Sequence, residues 1–278
     1  MRVLAGLILI AASAPALAMH ECKFTAERNF DIDPAGLKDL KLVLGSSDAR
    51  VEGVAGAKRI EVRGKACASE EGWLKGLTVT QERAGDRATV TTRHEDGPHM
   101  GGWGISYAYI DLEVRLPAEL VVDVDAGSGD ANVTNVAALH FGSGSGDLNA
   151  AHVAGPLSIK VGSGDVIADD VGSIAIERVG SGDIRATTVR GEATVGHVGS
   201  GDVKFSDVRG GVHVESVGSG DLIASRVGGD VEVGSIGSGD VTATDVGGSF
   251  IVHSAGSGDL RHRNITGKVD VPRRHEDD

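Results

Sequence analysis

The stretch VGSGDV, residues 161–166, recurs along the chain with little change, and its spacing decides the fold. The tetrapeptide GSGD occurs eight times, and successive copies lie 17 to 19 residues apart. A repeat at such a fixed period is typical of a solenoid, in which each unit packs only against its neighbours. We call the aspartates that end these tetrads the Asp ladder: Asp130, Asp147, Asp165, Asp183, Asp202, Asp221, Asp240 and Asp259.

Apolar residues stand at fixed distances from each of these aspartates. In seven of the eight copies a branched aliphatic residue such as Val166 comes one position later; three positions later the residue is mostly small, as at Ala168; and six positions later it is valine or isoleucine, as at Val171. Alternation with a period of two predicts β-strands, and the Gly-rich tetrads predict the corners between them. A helical repeat is disfavoured, because the units are too short for two helices and the recurring apolar positions are largely β-branched.

Stacked units of this kind predict an all-β protein. We expect a single-stranded parallel β-helix (β-solenoid) of about eight to nine coils of 18–19 residues, with an N-terminal β cap. The general handedness of parallel crossovers favours a right-handed coil, although a period near 18 residues also fits the left-handed type.

The sequence divides into four regions. Before the regular repeats, LGSSDARVEGV at 44–54 is a degenerate copy of the unit in which Asp48 takes the aspartate position. LTVTQERAGDRATVTT, which follows later, predicts a β-hairpin. The predicted regions are a signal peptide (1–18), an N-terminal cap with a degenerate first coil and a β-hairpin excursion (19–126), the regular GSGD β-solenoid (127–270) and a charged C-terminal tail (271–278).

The first residues predict export. MRVLAGLILIAASAPALA ends in the small-x-small pattern of Ala16 to Ala18 that signal peptidase recognises, so we expect a periplasmic or secreted protein. Because disulfides persist outside the cytoplasm, Cys22 and Cys67 are predicted to pair, with two separate buried thiols as the alternative. No later apolar run is long enough to predict a membrane span.

The net charge of the chain limits the classes of molecule that it is expected to bind. The chain carries 27 Lys plus Arg against 40 Asp plus Glu, a formal net charge of −13. Such a balance repels nucleic acid and anionic lipid surfaces. We therefore expect no nucleic-acid partner, and a partner at the envelope or surface that is either protein or glycan.

Several stretches together resemble a known family. They are the GSSD coil, the GGWG segment at 101–104, the passage YIDLEVRLPAELVVDVDAGSGD and the GSGDV-type repeats. In these the chain is similar to DUF4097 proteins, β-strand repeat proteins that carry the label "putative adhesin". The resemblance implies a parallel β-helix in or outside the bacterial envelope, and it implies no catalytic residues.

The Asp ladder allows two interpretations. Carboxylates on successive coils would lie about 4.8 Å apart and repel each other by about 0.9 kcal/mol even at the dielectric constant of water. In the structural interpretation, which we prefer, each carboxylate accepts hydrogen bonds from backbone N–H groups of the Gly-Ser-Gly turn, with glycines supplying positive φ where the turn needs it. In the alternative, divalent cations bridge the eight carboxylates of the ladder.

Aromatic residues are concentrated before the repeats. Trp103, Tyr107 and Tyr109 form a predicted recognition loop, and the alternative is that they pack against the end of the solenoid. A regular ladder presents the same residue on every coil, whereas a catalytic site needs a local exception at which different groups converge.

We therefore predict a non-enzymatic exported β-solenoid, adhesin-like or an envelope scaffold, with no cofactor and no catalytic residue. The alternatives are a polysaccharide-active β-helix enzyme, a cation-binding solenoid and a solenoid that polymerises end to end.

Overall fold

A computed structural model of the chain describes residues 22–95 and 106–272. Residues 1–18, which the sequence predicts to be a signal peptide, and Trp103 lie outside these ranges. The described part is almost entirely β, and its one helical element is a single 3-10 helix at Glu71–Gly76. None of the described residues forms a helix that could cross a lipid bilayer.

Parallel strands stacked coil upon coil form the regular part of the molecule. Strand segments that follow a tetrad directly pair with one another and form the face that we call sheet A, and segments that lead into the next tetrad form the face that we call sheet B. Two long strands, Leu148–Val161 and Val166–Val179, run through both faces. The predicted β-solenoid is confirmed, whereas its handedness stays a prediction. Its strands are β10 (Ala131–Thr134), β11 (Ala138–Ser143), β12 (Leu148–Val161), β13 (Val166–Val179), β14 (Ile184–Val189), β15 (Ala193–Val198), β16 (Val203–Val208), β17 (Val212–Val217), β18 (Leu222–Val227), β19 (Val231–Ile236), β20 (Val241–Val246), β21 (Phe250–Ala255), β22 (Leu260–Ile265) and β23 (Val269–Asp270).

Residues at equal distances from the tetrads pair with each other across neighbouring coils. Ile184 pairs with Val166 on one side and with Val203 on the other, so identical positions lie above each other. The inward positions exclude water: Phe205 and Phe250 are fully buried within the described chain. This register confirms the apolar template, because the buried positions are those at the predicted spacing from each aspartate.

A second corner of each coil needs an unusual backbone conformation. The residue five positions after each aspartate of the Asp ladder has a φ between 52° and 58°, in the left-handed region that L-residues with a Cβ rarely adopt. Asn and Asp tolerate this region best, and five of the eight residues are of these types. They are Asn135, His152, Asp170, Thr188, Asp207, Arg226, Asp245 and Asn264.

Thr188 is the poorest residue type for this corner, because it is β-branched and has a φ of 58°. We expect Thr188→Asn to stabilise the protein by about 1 kcal/mol. Urea unfolding would measure the change, and Thr187→Asn, one position earlier in the same strand, is the control with no expected gain. A Thr188→Asn variant no more stable than the Thr187→Asn variant would contradict the expected strain.

The tetrad glycines serve a different purpose from the predicted one. The glycines with positive φ in the described chain are Gly36, Gly45, Gly56 and Gly85, none of which belongs to a GSGD tetrad. Instead, a Cβ on the second glycine of any tetrad would lie 1.8–2.1 Å from a backbone oxygen of the preceding coil. The turns of the tetrads therefore do not need positive φ, and the glycines are required because neighbouring coils approach closely at this corner.

The N-terminal region supplies strands to both sheets and adds antiparallel strands beyond them. β6 and β7 form the hairpin expected around Gly85, and β5 pairs antiparallel with β1, β2 and β8. The strands are β1 (Phe24–Glu27), β2 (Phe30–Ile32), β3 (Asp39–Gly45), β4 (Asp48–Val54), β5 (Ile60–Ala68), β6 (Leu77–Ala84), β7 (Arg87–His94), β8 (Ala108–Pro117) and β9 (Val121–Ala126).

Coils at this end do not follow the order of the chain. β3 lies between β7 and β9, and β4 lies between β8 and β10, all in parallel. The coil formed by β7 and β8 is therefore outside the coil formed by β3 and β4, although it comes later in the sequence. The degenerate unit around Asp48 consequently has a neighbouring coil on each side.

Candidate functional site

The carboxylates of the Asp ladder form a single file held together by hydrogen bonds between coils. In each step, the backbone N–H of one aspartate donates to Oδ1 of the aspartate on the preceding coil, at 2.8–2.9 Å. Asp48 continues the file at its N-terminal end, since its Oδ1 accepts the N–H of Asp130 at 2.9 Å. The predicted acceptor role is present, but the donor is the aspartate of the next coil and not the Gly-Ser-Gly turn.

A ladder carboxylate affects the stability of the protein in two ways: it accepts a hydrogen bond from the next coil, and its negative charge repels the neighbouring carboxylates. In the parent protein the N–H of Asp202 donates to Oδ1 of Asp183 at 2.9 Å. Asp183→Asn keeps an oxygen that can accept this hydrogen bond, and it removes one negative charge from the file. We expect that variant to be more stable by about 0.5 kcal/mol at low salt, because like-charge repulsion falls. Asp183→Ala also removes the acceptor, and we expect it to lose about 1–2 kcal/mol. Urea unfolding at low and high salt measures both, and an Asn variant as unstable as the Ala variant would contradict the structural role.

The C-terminal end of the Asp ladder meets a cation. The guanidinium of Arg261 donates to Asp240 at 2.6 Å and to Asp259 at 2.8 Å, which offsets part of the repulsion there. Within the residues that the structure describes, no three His, Cys, Asp or Glu side chains are grouped so as to hold a metal ion. Cation binding by the ladder stays a prediction.

Asp111 adds a carboxylate that the sequence analysis missed. Its strand pairs with the first coil so that Asp111 lies beside Asp48. The signal was present in the sequence, because Leu112 and Val114 follow Asp111 at the same one- and three-residue spacings as in the repeats. Burial raises the pKa of Asp111, the negative charge of Asp48 raises it further, and Lys65 lowers it.

A cleft opens on the outer face of sheet A where the antiparallel strands join the solenoid. It has a volume of about 510 Å³ and crosses β1, β5, β8, β4 and β10. It differs from the grooves on the repeats because parallel and antiparallel strands meet in it. Its charged lining residues are Glu27, Asp48, Arg50, Arg63, Lys65, Asp111 and Glu113.

Tyr107 and Tyr109 of the predicted recognition loop contact the N-terminal segment. The hydroxyl of Tyr107 accepts the backbone N–H of Lys23 at 3.0 Å, and the hydroxyl of Tyr109 lies 3.4 Å from Sγ of Cys22. The two rings are 6.0 Å apart between centroids. Trp103 lies outside the described residues, so the recognition role of the three aromatic residues together stays a prediction.

The predicted disulfide is present. Cys22 and Cys67 are bonded, with their Cα atoms 5.5 Å apart, and the bond ties the N-terminal strand segment to β5. Cys67 is also the cross-strand partner of Tyr109. The tyrosines and the disulfide therefore form one contact region at the N-terminal end of sheet A.

The repeat architecture agrees with a known family of proteins. The family model Toastrack DUF4097 matches residues 65–244, which is more than half of the chain. The chain belongs to the Toastrack DUF4097 family, as its resemblance in sequence predicted. No curated protein matches it in sequence.

Solved structures with a similar chain path come from several bacteria. A "putative lipid binding protein" from Parabacteroides distasonis is 16% identical with a TM-score of 0.46, and the match covers 88% of this chain and 96% of the other. A "putative adhesin" from Bacteroides fragilis is 11% identical with a TM-score of 0.42, over 89% and 97% of the two chains. A "putative cell adhesion protein" from Clostridium sporogenes is 14% identical with a TM-score of 0.34, over 86% and 99%. These values are too low to transfer a function from one protein to another.

Proposed function

We propose that this chain is an exported, non-enzymatic β-solenoid that acts as an adhesin-like interaction or scaffold protein of the cell envelope. The observation that carries the proposal is the contrast between the two sides of each strand. Inward strand positions repeat a few apolar residue types, mostly Val, Ile, Leu and Ala, whereas the outward strand positions between the tetrads differ from coil to coil. A side chain that the fold does not constrain is available for recognition.

One outward column of sheet A illustrates the contrast. Its members lie in register on successive coils, at a strand spacing of about 4.8 Å. They include one amide, three cations, one hydroxyl and two isoleucines, one of which, Ile167, has 51% of its surface exposed. The column runs through Asn149, Ile167, Arg185, Lys204, Ile223, Thr242 and Arg261.

Export is supported by the disulfide between Cys22 and Cys67, because such bonds persist outside the reducing cytoplasm. The antiparallel strands β5 and β6 lie beyond the parallel strands β8 and β7 at the N-terminal end. In the proposal they belong to the cap of residues 19–126 and protect parallel edges that would otherwise invite pairing with other chains.

Crosslinking in the native envelope, followed by identification of the captured molecules, tests the proposed role. We expect a specific protein or glycan of the envelope to be recovered with the full-length chain and lost when surface residues of sheet A are changed. Recovery of cytoplasmic molecules only would overturn the proposal.

The enzyme alternative is tested by incubating the purified protein with acidic and neutral glycans. The proposal expects no product, and robust turnover would replace it with the polysaccharide-active function.

A thermal melt with calcium and with chelator tests the cation alternative, since a ligand that binds only the folded state raises the melting temperature.

A further inference from the structure

The charges in the cleft fall into two rows. The first row crosses the strands through Glu27, Lys65, Asp111 and Asp48, which are paired in register. Three of these four side chains are acids, and the adjoining Asp111 and Asp48 bring two carboxylates together. This row, which we call the acidic row, is the N-terminal continuation of the Asp ladder.

The second row lies two residues away from the first on the three shared strands β5, β8 and β4, and it extends onto β10. It crosses through Arg63, Glu113, Arg50 and Asn132, again in register, and two of its three charges are positive. We call it the basic row. Two residues of a β-strand span about 6.8 Å, so the cleft presents opposite charge at its two sides over that distance.

The two cations of the basic row differ in their existing partners. Arg63 donates to Asp31 at 2.8 Å and to the carbonyl oxygen of Phe30 at 3.0 Å. Arg50 is exposed and has no ion pair or side-chain hydrogen bond within the described residues. Arg50 is therefore the cation that can receive an anion in the cleft.

The acidic row also lacks a cation at its crowded end. The pKa of Asp111 is raised by burial and by the charge of Asp48, and Lys65 only partly opposes this. A positive group placed between Asp48 and Asp111 would relieve that repulsion. The two rows are therefore complementary in charge to a ligand that carries an ammonium group at one end and a carboxylate at the other.

We propose that the cleft binds a zwitterionic ligand of dipeptide length, with its ammonium group between Asp48 and Asp111 and its carboxylate on Arg50. Standard bond lengths place the nitrogen and the terminal carboxylate carbon of an extended dipeptide about 6 Å apart, close to the separation of the rows. The volume of about 510 Å³ is sufficient for such a molecule.

Other ligand classes fit less well. The residues that the structure assigns to the lining of the cleft include no aromatic ring, and rings are the usual platform for a sugar face. Four acids against three cations would repel a phosphate dianion, whereas a zwitterion brings no net charge.

Isothermal titration calorimetry of the full mature chain with diglycine tests the proposal. We expect saturable binding of one diglycine, and at least tenfold weaker binding of N-acetyl-diglycine and of diglycine amide, each of which lacks one charge. Free glycine is too short to reach both rows, and it should bind as weakly as the blocked peptides. A lack of saturable heat up to about 20 mM diglycine, or equal affinity for the three dipeptide forms, would overturn the proposal.

Single variants assign each charge to its partner. Arg50→Gln should weaken diglycine binding at least tenfold and abolish the preference for diglycine over its amide. Asp111→Asn should instead abolish the preference over N-acetyl-diglycine. Arg185→Gln is the matched control, because Arg185 holds the same exposed position two residues after a ladder aspartate, outside the cleft. Unfolding curves verify that the variants fold, and an Arg50→Gln variant that binds like Arg185→Gln would contradict the assignment.

Discussion

Replacing Gly201 by alanine is expected to destabilise the protein by about 3 kcal/mol, which for a chain of this size lowers the melting temperature by about 10 °C. The new Cβ would lie 1.9 Å from the carbonyl oxygen and 2.7 Å from the carbonyl carbon of Gly182. Both atoms belong to the backbone of the preceding coil, which is fixed by its own hydrogen bonds to further coils. The coils must therefore separate at this corner, because no side chain can rotate away.

Gly142 offers a matched control inside the same stack. A Cβ there would come no closer than 4.0 Å to any neighbouring atom. Gly142→Ala should be neutral or slightly stabilising, since alanine restricts the unfolded chain more than glycine does. Thermal and urea unfolding of both variants checks the expectation. Equal stability of the Gly201 and Gly142 variants would show that the coils are further apart than the structure has them.

Replacing Phe205 by alanine is expected to cost about 3–5 kcal/mol, because it leaves a cavity in the middle of the stack. Phe205 is fully buried and pairs with Ala186 on one side and Ala224 on the other. These small neighbours cannot move in to fill the space that the ring leaves. In a solenoid each coil contacts only its neighbours, so the lost stability is confined to the interfaces on either side of Phe205. The unfolding transition should therefore also become less cooperative.

Phe205→Leu keeps most of the volume and should cost less than about 1.5 kcal/mol. Hydrogen exchange measures where the stability is lost, and the amides of the coils on either side of residue 205 should exchange faster in the alanine variant. An alanine variant within about 1 kcal/mol of the parent protein would mean that the core relaxes around the missing ring.

The repeat itself could be predicted from the sequence, because each coil carries its own copy of the signal. The period, the inward slots of Phe205 and Phe250, and the degenerate coil at Asp48 all follow from spacing alone. The left-handed corner was missed, although Asn135 and Asp170 stand at the position where Asn and Asp are preferred for that conformation. The repeat and the left-handed corner each leave their signal within a single repeat unit, so the spacing of residues in that unit can reveal them.

The tetrad glycines and the cleft could not be read from local sequence in the same way. Glycine fits a positive φ and a close approach equally well, and only the distance between coils separates the two explanations. The cleft depends on β8 pairing with β4, so that Asp111 comes to lie beside Asp48. The spacing of Leu112 and Val114 marks Asp111 as the start of a coil, but which strand that coil pairs with is a long-range choice that local spacing does not specify.

The altered order of coils at the N-terminal end has a consequence for how the chain becomes structured. The step from Asp48 to the first aspartate of the Asp ladder, Asp130, spans 82 residues, whereas the steps within the ladder span 17 to 19. Closing the longer loop costs about 1.3 kcal/mol more in chain entropy. We therefore expect closure of the N-terminal end to be the slow step of folding, after which each later coil can add to a neighbour that is already formed.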